Sequence, residues 1–325
     1  MKFLAGLALS LLLPALAIAQ TVPRSPHGDI ADMALLMAAE VGRADLAAFA
    51  LDNGADIESR DQRPRQSTPL LLAVAGGHHG VARLLLARGA DVKAVTGDGY
   101  TALMVAADAR DDSLMGVELI GAGAEINAAA GDGTTALMAA ASRGHENFVN
   151  LLLLNKAATH ALDNKGRGAL LFAAADGSLE SVDALLVAGA NPNQQAGNGD
   201  TSLARAVIGA HAGIAARLLA AGAHVNAPGA NGQTPLIIAV RTGNVTVVHV
   251  LLGAGAEVNR VERGNGNSAL MYAANSGFAD LVDILLARGA DVDAVARDGW
   301  TALQAAEMVG ETAIVERLRA AARGG

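Results

Sequence analysis

Leu-Leu-Ala-Arg-Gly-Ala-Asp-Val occupies residues 85–92 and returns unchanged at residues 285–292. Two variants stand between these copies: Leu-Leu-Val-Ala-Gly-Ala-Asn at residues 185–191 and Leu-Leu-Ala-Ala-Gly-Ala-His at residues 218–224. These two start about 33 residues apart, and a period of this length is typical of a stacked repeat array. Such arrays grow in one dimension and present extended surfaces. The period therefore favours a binding protein over an enzyme.

Each unit of the period contains the same sequence signals for two short helices, as residues 232–258 illustrate. Gly232 suits a turn with positive φ, and the hydroxyl of Thr234 can cap a helix that begins at Pro235. Gly243 ends this helix, and the apolar residues after it recur at helical spacing. The Gly-Ala-Glu-Val run at residues 255–258 then closes the second helix and leads into a predicted β-hairpin.

These parts together resemble the ankyrin repeat, whose signature is Gly-x-Thr-Pro-Leu-His-x-Ala-Ala, then Gly-His, then Leu-Leu-x-x-Gly-Ala-Asp-x-Asn. The Thr-Pro-Leu core stands at residues 68–70 and 234–236, and the Gly-His pair at residues 77–78 and 144–145. The signature His after the Leu is absent from every copy. The resemblance implies an all-α ankyrin-repeat solenoid of about nine helix-turn-helix units with β-hairpin fingers.

The resemblance extends over residues 30–325, with the first and last units acting as caps. A cap covers the exposed end of an array, and the last unit has the polar residues that this requires. The residue at the Thr position marks the start of each predicted unit: Met33, Thr68, Thr101, Thr135, Gly168, Thr201, Thr234, Ser268 and Thr301.

The N-terminus has the features of a cleavable signal peptide. Lys2 precedes an apolar run over residues 3–19, and Ala-Ile-Ala at residues 17–19 is a small-x-small cleavage pattern. A membrane anchor is the alternative, but the run is short for a bilayer, which needs about 20 apolar residues. We therefore expect a signal peptide (1–19), a leader (20–29), and a periplasmic or secreted protein that does not insert into a membrane after cleavage.

The composition argues against several classes of function. The chain has 24 basic and 32 acidic residues, a net charge of −8, and no cysteine. An acidic chain with scattered arginines is a poor candidate for nucleic-acid binding. No catalytic motif and no recognisable metal-ligand spacing occurs. We therefore expect no enzymatic activity, no cofactor and no metal, and a monomer that binds an unknown protein partner.

The candidate binding residues lie where the units differ. Extra residues fall within 60–67, 110–112 and 260–267, and the first and last of these segments contain several arginines. Tyr100 and Trp300 share the position before the Thr, which in ankyrin proteins lines the surface used for binding. The alternatives are ordinary loop variation and packing against the next finger. The predicted partner-binding residues are Arg63, Arg65, Tyr100, Arg167, Asp200, Gln233, Arg263, Asn267 and Trp300.

Other notable side chains are predicted to be structural because they recur at matching positions of the repeat. The histidines follow the first helix, and adjacent histidines on a helix do not share a face as metal ligands would. The methionines and the remaining aromatic residues are predicted to fill the core. These residues are His78, His145, His211, Met104, Met138, Met271, Phe172 and Tyr272.

Three functions stay open from the sequence. The first is a scaffold or accessory factor outside the cytoplasm that binds a partner on the concave surface formed by fingers and inner helices. The second is an inhibitor or immunity-type binder of a toxic enzyme. The third is a secreted effector that binds a host protein.

Overall fold

A computed structural model of the 325-residue chain describes residues 30–230 and 232–324. The predicted signal peptide and leader lie outside these described residues. Within them the fold is all-α, and eighteen short helices follow one another along the chain. The helices are α1 (Ile30–Val41), α2 (Ala44–Asp52), α3 (Pro69–Gly76), α4 (His79–Ala87), α5 (Ala102–Ala109), α6 (Ser113–Gly121), α7 (Ala136–Ser142), α8 (Glu146–Leu154), α9 (Ala169–Asp176), α10 (Leu179–Val187), α11 (Ser202–Ile208), α12 (Ala212–Ala220), α13 (Pro235–Arg241), α14 (Val245–Gly253), α15 (Ala269–Asn275), α16 (Ala279–Ala287), α17 (Ala302–Val309) and α18 (Thr312–Gly324).

The first helix of most pairs begins at the predicted cap. The hydroxyl of Thr101 accepts a hydrogen bond from the amide of Met104 at 3.3 Å, and that of Thr234 accepts one from the amide of Ile237 at 3.3 Å. Each bond satisfies an amide that has no partner within its own helix. The cap residue identified from the sequence therefore sets the start of the helix and the register of the repeat.

The described residues form two compact units. In the first unit, residues 30–140 and 145–158, α1 packs on α3 and α3 on α5, while α2 packs on α4 and α6 on α8. In the second, the described residues of 141–144 and 159–325, α9, α11, α13, α15 and α17 pack in succession. There α10 also packs on α12, α12 on α14, and α16 on α18.

The core is built from the recurring leucines and from alanines. The first leucine of each of the four motifs quoted above is fully buried: Leu85, Leu185, Leu218 and Leu285. Burial of one such side chain stabilises the fold by about 1.5–3 kcal/mol. Small alanines on the first helices let neighbouring pairs approach closely. A core with few large aromatic side chains is therefore what a closely stacked array requires.

The segments that join one pair to the next are tight turns. Within the described residues no β-strand forms, and only two isolated antiparallel bridges occur, Val95 with Thr101 and Gln195 with Thr201. Backbone hydrogen bonds form both within and between the turns: the amide of Ala196 donates to the carbonyl of Asp200 at 2.9 Å in its own turn, and the amide of Gly197 donates to that of Lys165 at 2.7 Å in the preceding turn. The predicted fingers are thus present as turns, with at most one bridge of a hairpin.

The extra residue within 110–112 has a structural purpose. The carboxylate of Asp111 accepts hydrogen bonds from the amides of Asn147 at 3.3 Å and Phe148 at 2.9 Å, and so caps α8 of the following pair. Asp112 caps its own helix, α6, by accepting from the amide of Met115 at 3.3 Å. The insertion therefore ties two successive pairs together within the first unit.

The histidines and methionines have the structural roles predicted for them. His78 Nε2 lies 3.0 Å from the carbonyl oxygen of Glu40, and His145 Nδ1 lies 2.8 Å from that of Ala107, in each case one repeat earlier. The ring of His211 lies against glycine backbone, and the three methionines Met104, Met138 and Met271 are buried. None of the described helices has the length and apolar character needed to cross a bilayer.

Candidate functional site

Pockets in both units are lined by the same positions of the repeat. One position is the residue just before the helix cap, and the others are the fourth and seventh residues after it. We call these the groove positions. They line the pockets described below, and their side chains differ in chemistry from repeat to repeat. A surface with a constant frame and variable side chains is suited to recognition.

The first pocket of the second unit, here the arginine pocket, has a volume of about 350 Å³. Its groove positions supply two guanidinium groups, Arg205 from α11 and Arg241 from α13, beside the apolar side chains of Ile208 and Ile238. Arginine is well suited to carboxylates because its planar group donates several hydrogen bonds in a fixed geometry. The pocket thus joins two positive groups to an apolar wall.

Two predicted binding residues, Asp200 and Gln233, lie beneath these arginines. Asp200 is only 2% exposed and forms an ion pair with Arg205. Gln233, also buried, accepts a hydrogen bond from Arg241 Nη1 at 2.6 Å and donates one to Glu262 Oε2 at 2.8 Å. Both side chains line the pocket, yet their main contacts orient the arginines. We therefore expect Asp200 and Gln233 to act on a partner mainly by positioning the two arginines, whose guanidinium groups are more accessible.

The second pocket of this unit, here the tryptophan pocket, has a volume of about 220 Å³. Trp300, which is 40% exposed, lines it together with Asp298 and Tyr272. Asn267 and Met308 also line it. Ligand pockets for drug-sized molecules measure about 300–1,000 Å³, so this one fits a single side chain rather than a cofactor.

Tyr272 is fixed by hydrogen bonding and by a cation. Its hydroxyl donates to Glu262 Oε1 at 2.8 Å, and the guanidinium carbon of Arg241 lies 5.4 Å from its ring centroid. Burial is the largest influence on the Tyr272 hydroxyl and, with the carboxylate of Glu262, raises its pKa against the lowering effect of Asn267. Tyr272 therefore stays neutral, and Glu262 is a buried carboxylate held between the two pockets of the second unit.

A third pocket, of about 720 Å³, lies in the first unit between α1 and the turn that follows α2. Met37 and Glu40 are its groove residues on α1. Arg63 pairs with Asp61 and, at 2.9 Å, with Glu40, and these two carboxylates raise the pKa of its guanidinium. Arg60 Nη1 donates to the carbonyl of Val95 at 2.8 Å. The arginines of this turn thus hold the pocket wall in place.

Arg65, Tyr100 and Asp98 form a cluster in the first unit. The guanidinium carbon of Arg65 lies 5.9 Å from the centroid of the Tyr100 ring, and its Nε lies 3.7 Å from Asp98 Oδ2. A cation within about 6 Å of an aromatic centroid is attracted to the face of the ring. Two of the predicted binding residues therefore contact each other, with Asp98 as a third member that the prediction left out.

The remaining predicted residues lie apart from these clusters. Arg167 pairs with Asp163 at 2.6 Å, and its guanidinium carbon lies 4.7 Å from the centroid of the Phe172 ring. Burial acts most strongly on Asp163 and would raise its pKa, but its hydrogen bonds from Arg167 and Lys165 outweigh that effect and lower it. Arg263 is exposed, and its Cβ lies close to the backbone of Gly232.

Comparison with known proteins identifies the family. The family model described as "Ankyrin repeats (3 copies)" matches residues 35–129, 109–196, 170–262 and 255–323, which is most of the chain. The chain belongs to the ankyrin-repeat family. Ankyrin repeats are a protein-interaction fold and are generally non-enzymatic. The chain is therefore a protein–protein interaction module.

Two large ankyrin proteins are similar to parts of the chain. Ankyrin repeat and KH domain-containing protein 1 of Homo sapiens is 43% identical over 77 residues, which are 23% of this chain and 3% of that protein. Ankyrin repeat and KH domain-containing protein mask of Drosophila melanogaster is 33% identical over 135 residues, 41% of this chain and 2% of that protein. The chain thus spans only a small part of the length of these relatives.

The ankyrin grooves include residues that the sequence reasoning missed. Arg205, Arg241 and Glu262 were not predicted, while Tyr272 and Phe172 were predicted to be core residues. The structure corrects this, because both rings are only half-buried and each lies beneath an arginine. Arg205, Tyr272 and Phe172 share one available signal, a charged or aromatic residue at the fourth position after the cap, where the other units have Met, Leu, Val, Ile or Ala. Arg241 stands at the seventh position, and Glu262 lies outside the groove positions.

Within the described residues, no group of three or more His, Asp or Glu side chains is placed to hold a metal ion. His78 and His79 face different partners, as the helical spacing predicts. The ring of His79 lies between Asp112 and Glu118, with Nε2 2.7 Å from the former and Nδ1 3.1 Å from the latter. These contacts join α4 to α6, so this histidine is part of the packing between successive pairs.

Proposed function

We propose that the mature chain, residues 20–325, is exported and acts outside the cytoplasm as a monomeric scaffold that binds a partner protein through its groove positions. We further propose that it contains nine repeat units, capped by the first and the last, whose turns act as short hairpin fingers. Export is argued from the apolar run over residues 3–19 and the small-x-small pattern that ends it.

The single observation that carries the binding surface is the recurrence of pockets at the groove positions. The arginine pocket, the tryptophan pocket and the pocket beside α1 use equivalent residues of different repeats. A pocket that depended on irregular loops would not recur in this way. The partner-binding roles of Arg63, Arg65, Tyr100, Arg167, Asp200, Gln233, Arg263, Asn267 and Trp300 stay part of this proposal.

The second unit offers the stronger surface. Arginine, tyrosine and tryptophan are the residue types that contribute most to binding at protein interfaces. Arg205, Arg241, Tyr272 and Trp300 all lie in its two pockets. Their neighbours Asp200, Gln233 and Glu262 hold the arginines and the tyrosine in place, so little side-chain freedom is lost on binding.

The inhibitor and the secreted effector use the same surface and differ in the partner. An inhibitor or immunity-type binder would copurify with an enzyme whose activity is suppressed. An effector would accumulate in the culture medium rather than in an osmotic-shock fraction. The scaffold is preferred because its only requirement is the stable partner-binding groove described above.

The test is affinity capture with the tagged mature chain from an extract of its native compartment, with the captured proteins identified by mass spectrometry. The groove variant is Trp300→Ala combined with Tyr100→Ala. The matched control is Val187→Ala, since Val187 is 82% exposed at the end of a second helix and lines none of the three pockets.

The proposal expects a protein that the native chain and the Val187→Ala control capture equally and the groove variant loses. Circular dichroism of the three proteins shows that each keeps its helices. A partner that the groove variant retains at full yield contradicts the assignment of the surface. If only the Val187→Ala control loses the partner, the interface lies on the second helices instead.

A further inference from the structure

The tryptophan pocket repeats an arrangement that is already occupied by an arginine elsewhere in the chain. In the first unit, Tyr100 and Asp98 hold the guanidinium of Arg65 between an aromatic ring and a carboxylate. In the second unit, Trp300 and Asp298 have the same two positions relative to their helix cap. The two sites therefore share an aromatic residue and an acid at a matching spacing.

The arginine is missing from the second of these sites. Asn265 stands three residues before its cap, as Arg65 does, and the backbone shows that the two are equivalent. The amide of Gly97 donates to the carbonyl of Arg65, and the amide of Arg297 donates to the carbonyl of Asn265 at 2.9 Å. A short amide side chain thus occupies the place from which a guanidinium would reach Trp300 and Asp298.

Within the described residues, neither Trp300 nor Asp298 has a cationic partner. Both tyrosines of the chain lie beneath an arginine, while Trp300, the best cation–π acceptor among the aromatic residues, does not. Asp298 accepts one hydrogen bond, from the amide of Trp300 at 3.3 Å. In the occupied site Thr96 donates its hydroxyl to Asp98, and the equivalent Ala296 has no hydroxyl, so Asp298 keeps more free acceptor capacity.

The basic residues nearby do not occupy the pocket. Arg297 precedes Asp298, but its Cγ and Cδ lie against Gly266. Arg241 lies over the Tyr272 ring and lines the arginine pocket instead. Trp300, Tyr272 and Asp298 therefore surround a space of about 220 Å³ with an aromatic and acidic lining, in a chain whose net charge is −8.

We propose that the tryptophan pocket binds an arginine side chain of the partner protein, held between the Trp300 ring and the Asp298 carboxylate as Arg65 is held between Tyr100 and Asp98. The proposal rests on the proposed function, because it names the group that the partner presents to the groove. Arginine suits the site better than lysine, since its planar group stacks on a ring and donates to a carboxylate at the same time.

The chain offers a specific probe, because Trp300 is its only tryptophan and reports on the pocket alone. The experiment titrates the mature chain with the peptide acetyl-Gly-Arg-Gly-amide and follows Trp300 fluorescence and the indole N–H signal in NMR spectra. The matched peptide has citrulline in place of arginine, which keeps the shape and removes the charge. The expected result is a saturable change with the arginine peptide and none with the citrulline peptide.

Two variants test the two halves of the site. Asp298→Asn is expected to weaken the binding of the arginine peptide about two- to fivefold, the range for an exposed ion pair. Asp293→Asn is its control, since it removes an equal charge from the same turn outside the pocket. Asn265→Arg places a competing guanidinium at the position equivalent to that of Arg65. It is expected to weaken the binding of the arginine peptide about tenfold. Asn265→Gln is its control.

The inference is overturned if the arginine and citrulline peptides perturb Trp300 equally, or if Asn265→Arg binds the arginine peptide as the native chain does. Those results leave the proposed function intact where a single Trp300→Ala variant, added to the capture experiment, still loses the partner. Conversely, the arginine peptide could bind as expected while the captured partner is retained by the Trp300→Ala variant. That outcome supports the arginine site and contradicts the proposed interface. The two claims therefore fail separately.

Discussion

Replacing His79 with Gln is expected to destabilise the first unit in acid and to have little effect in alkali. Asp112 and Glu118 only accept hydrogen bonds when ionised, so the His79 ring can donate to both at once only as an imidazolium, which has a proton on each nitrogen. Arg83 also faces this site, with Nε 3.7 Å from Glu118 Oε1. Gln keeps one donor but carries no charge.

The direction of the pH dependence follows from the pKa of His79. Burial is the largest single influence and lowers that pKa, but the hydrogen bonds and charges of Glu118 and Asp112 together outweigh it and raise the pKa. The bridge therefore contributes fully below the unfolded pKa of about 6.5. Its contribution is lost as pH rises through the higher pKa of the folded state.

The size of the effect can be estimated from the contacts. A hydrogen bond to a charged group contributes about 1.5–3 kcal/mol, and a neutral one about 1 kcal/mol. The His79 and Asp112 side chains are 24% and 26% exposed, so solvent weakens their contact. With one neutral bond retained by Gln, the loss is about 1–2 kcal/mol in acid. For a slope of about 2 kcal/mol/M this lowers the urea midpoint by roughly 0.5–1 M.

The assay is urea unfolding followed by circular dichroism, with the native chain and His79→Gln compared at a series of pH values from about 5.5, below the unfolded pKa, upward to about 9. His249→Gln is the control, because His249 is exposed on α14. The variant is expected to unfold earlier than the native chain only at the lower pH values. A difference of equal size across the whole series would refute the charged bridge and leave a simple packing role for His79.

Three further predictions concern stability. Gly116→Ala is expected to cost about 1–3 kcal/mol in the same urea assay, because its Cβ would lie 2.5 Å from the Leu151 side chain and 2.9 Å from the buried ring of Phe148. Gly121→Ala on the same helix meets nothing within 4 Å and should be neutral or stabilising. Asp111→Ala is expected to weaken the cap of α8 by about 1 kcal/mol, seen as faster amide exchange at its first turn, and unchanged exchange there would contradict the cap. Leu36 in the first repeat is expected to exchange its amide faster than Leu137, and equal protection would show that the first repeat does not fray.

The fold was largely predictable because its signals are local and repeated. The Thr caps at Thr101 and Thr234, the turn glycines and the buried leucines each stand at one fixed position, and each behaves in the structure as the sequence indicates. The hairpins are the exception. The resemblance implied β-hairpin fingers, but within the described residues only two isolated bridges form, and some turn amides, such as that of Gly197, bond to the preceding turn.

The candidate site was less predictable because its chemistry depends on side-chain contacts within one repeat and between successive repeats. Asp200 and Gln233 look like exposed polar residues in the sequence, yet each is buried and bound to an arginine several residues later in the chain. The Arg65 contact with Tyr100 links two successive turns. Periodicity gives the position of such residues, but the direction of a long side chain is decided by the neighbouring repeat.

The central claim is that the partner binds at the groove positions of the second unit. The most direct measurement is photo-crosslinking in the native compartment, with benzoylphenylalanine placed at Trp300 in one protein and at Val187 in another. The account predicts that the captured partner crosslinks strongly from position 300 and weakly or not at all from position 187. Strong crosslinking from position 187 with none from position 300 would contradict it.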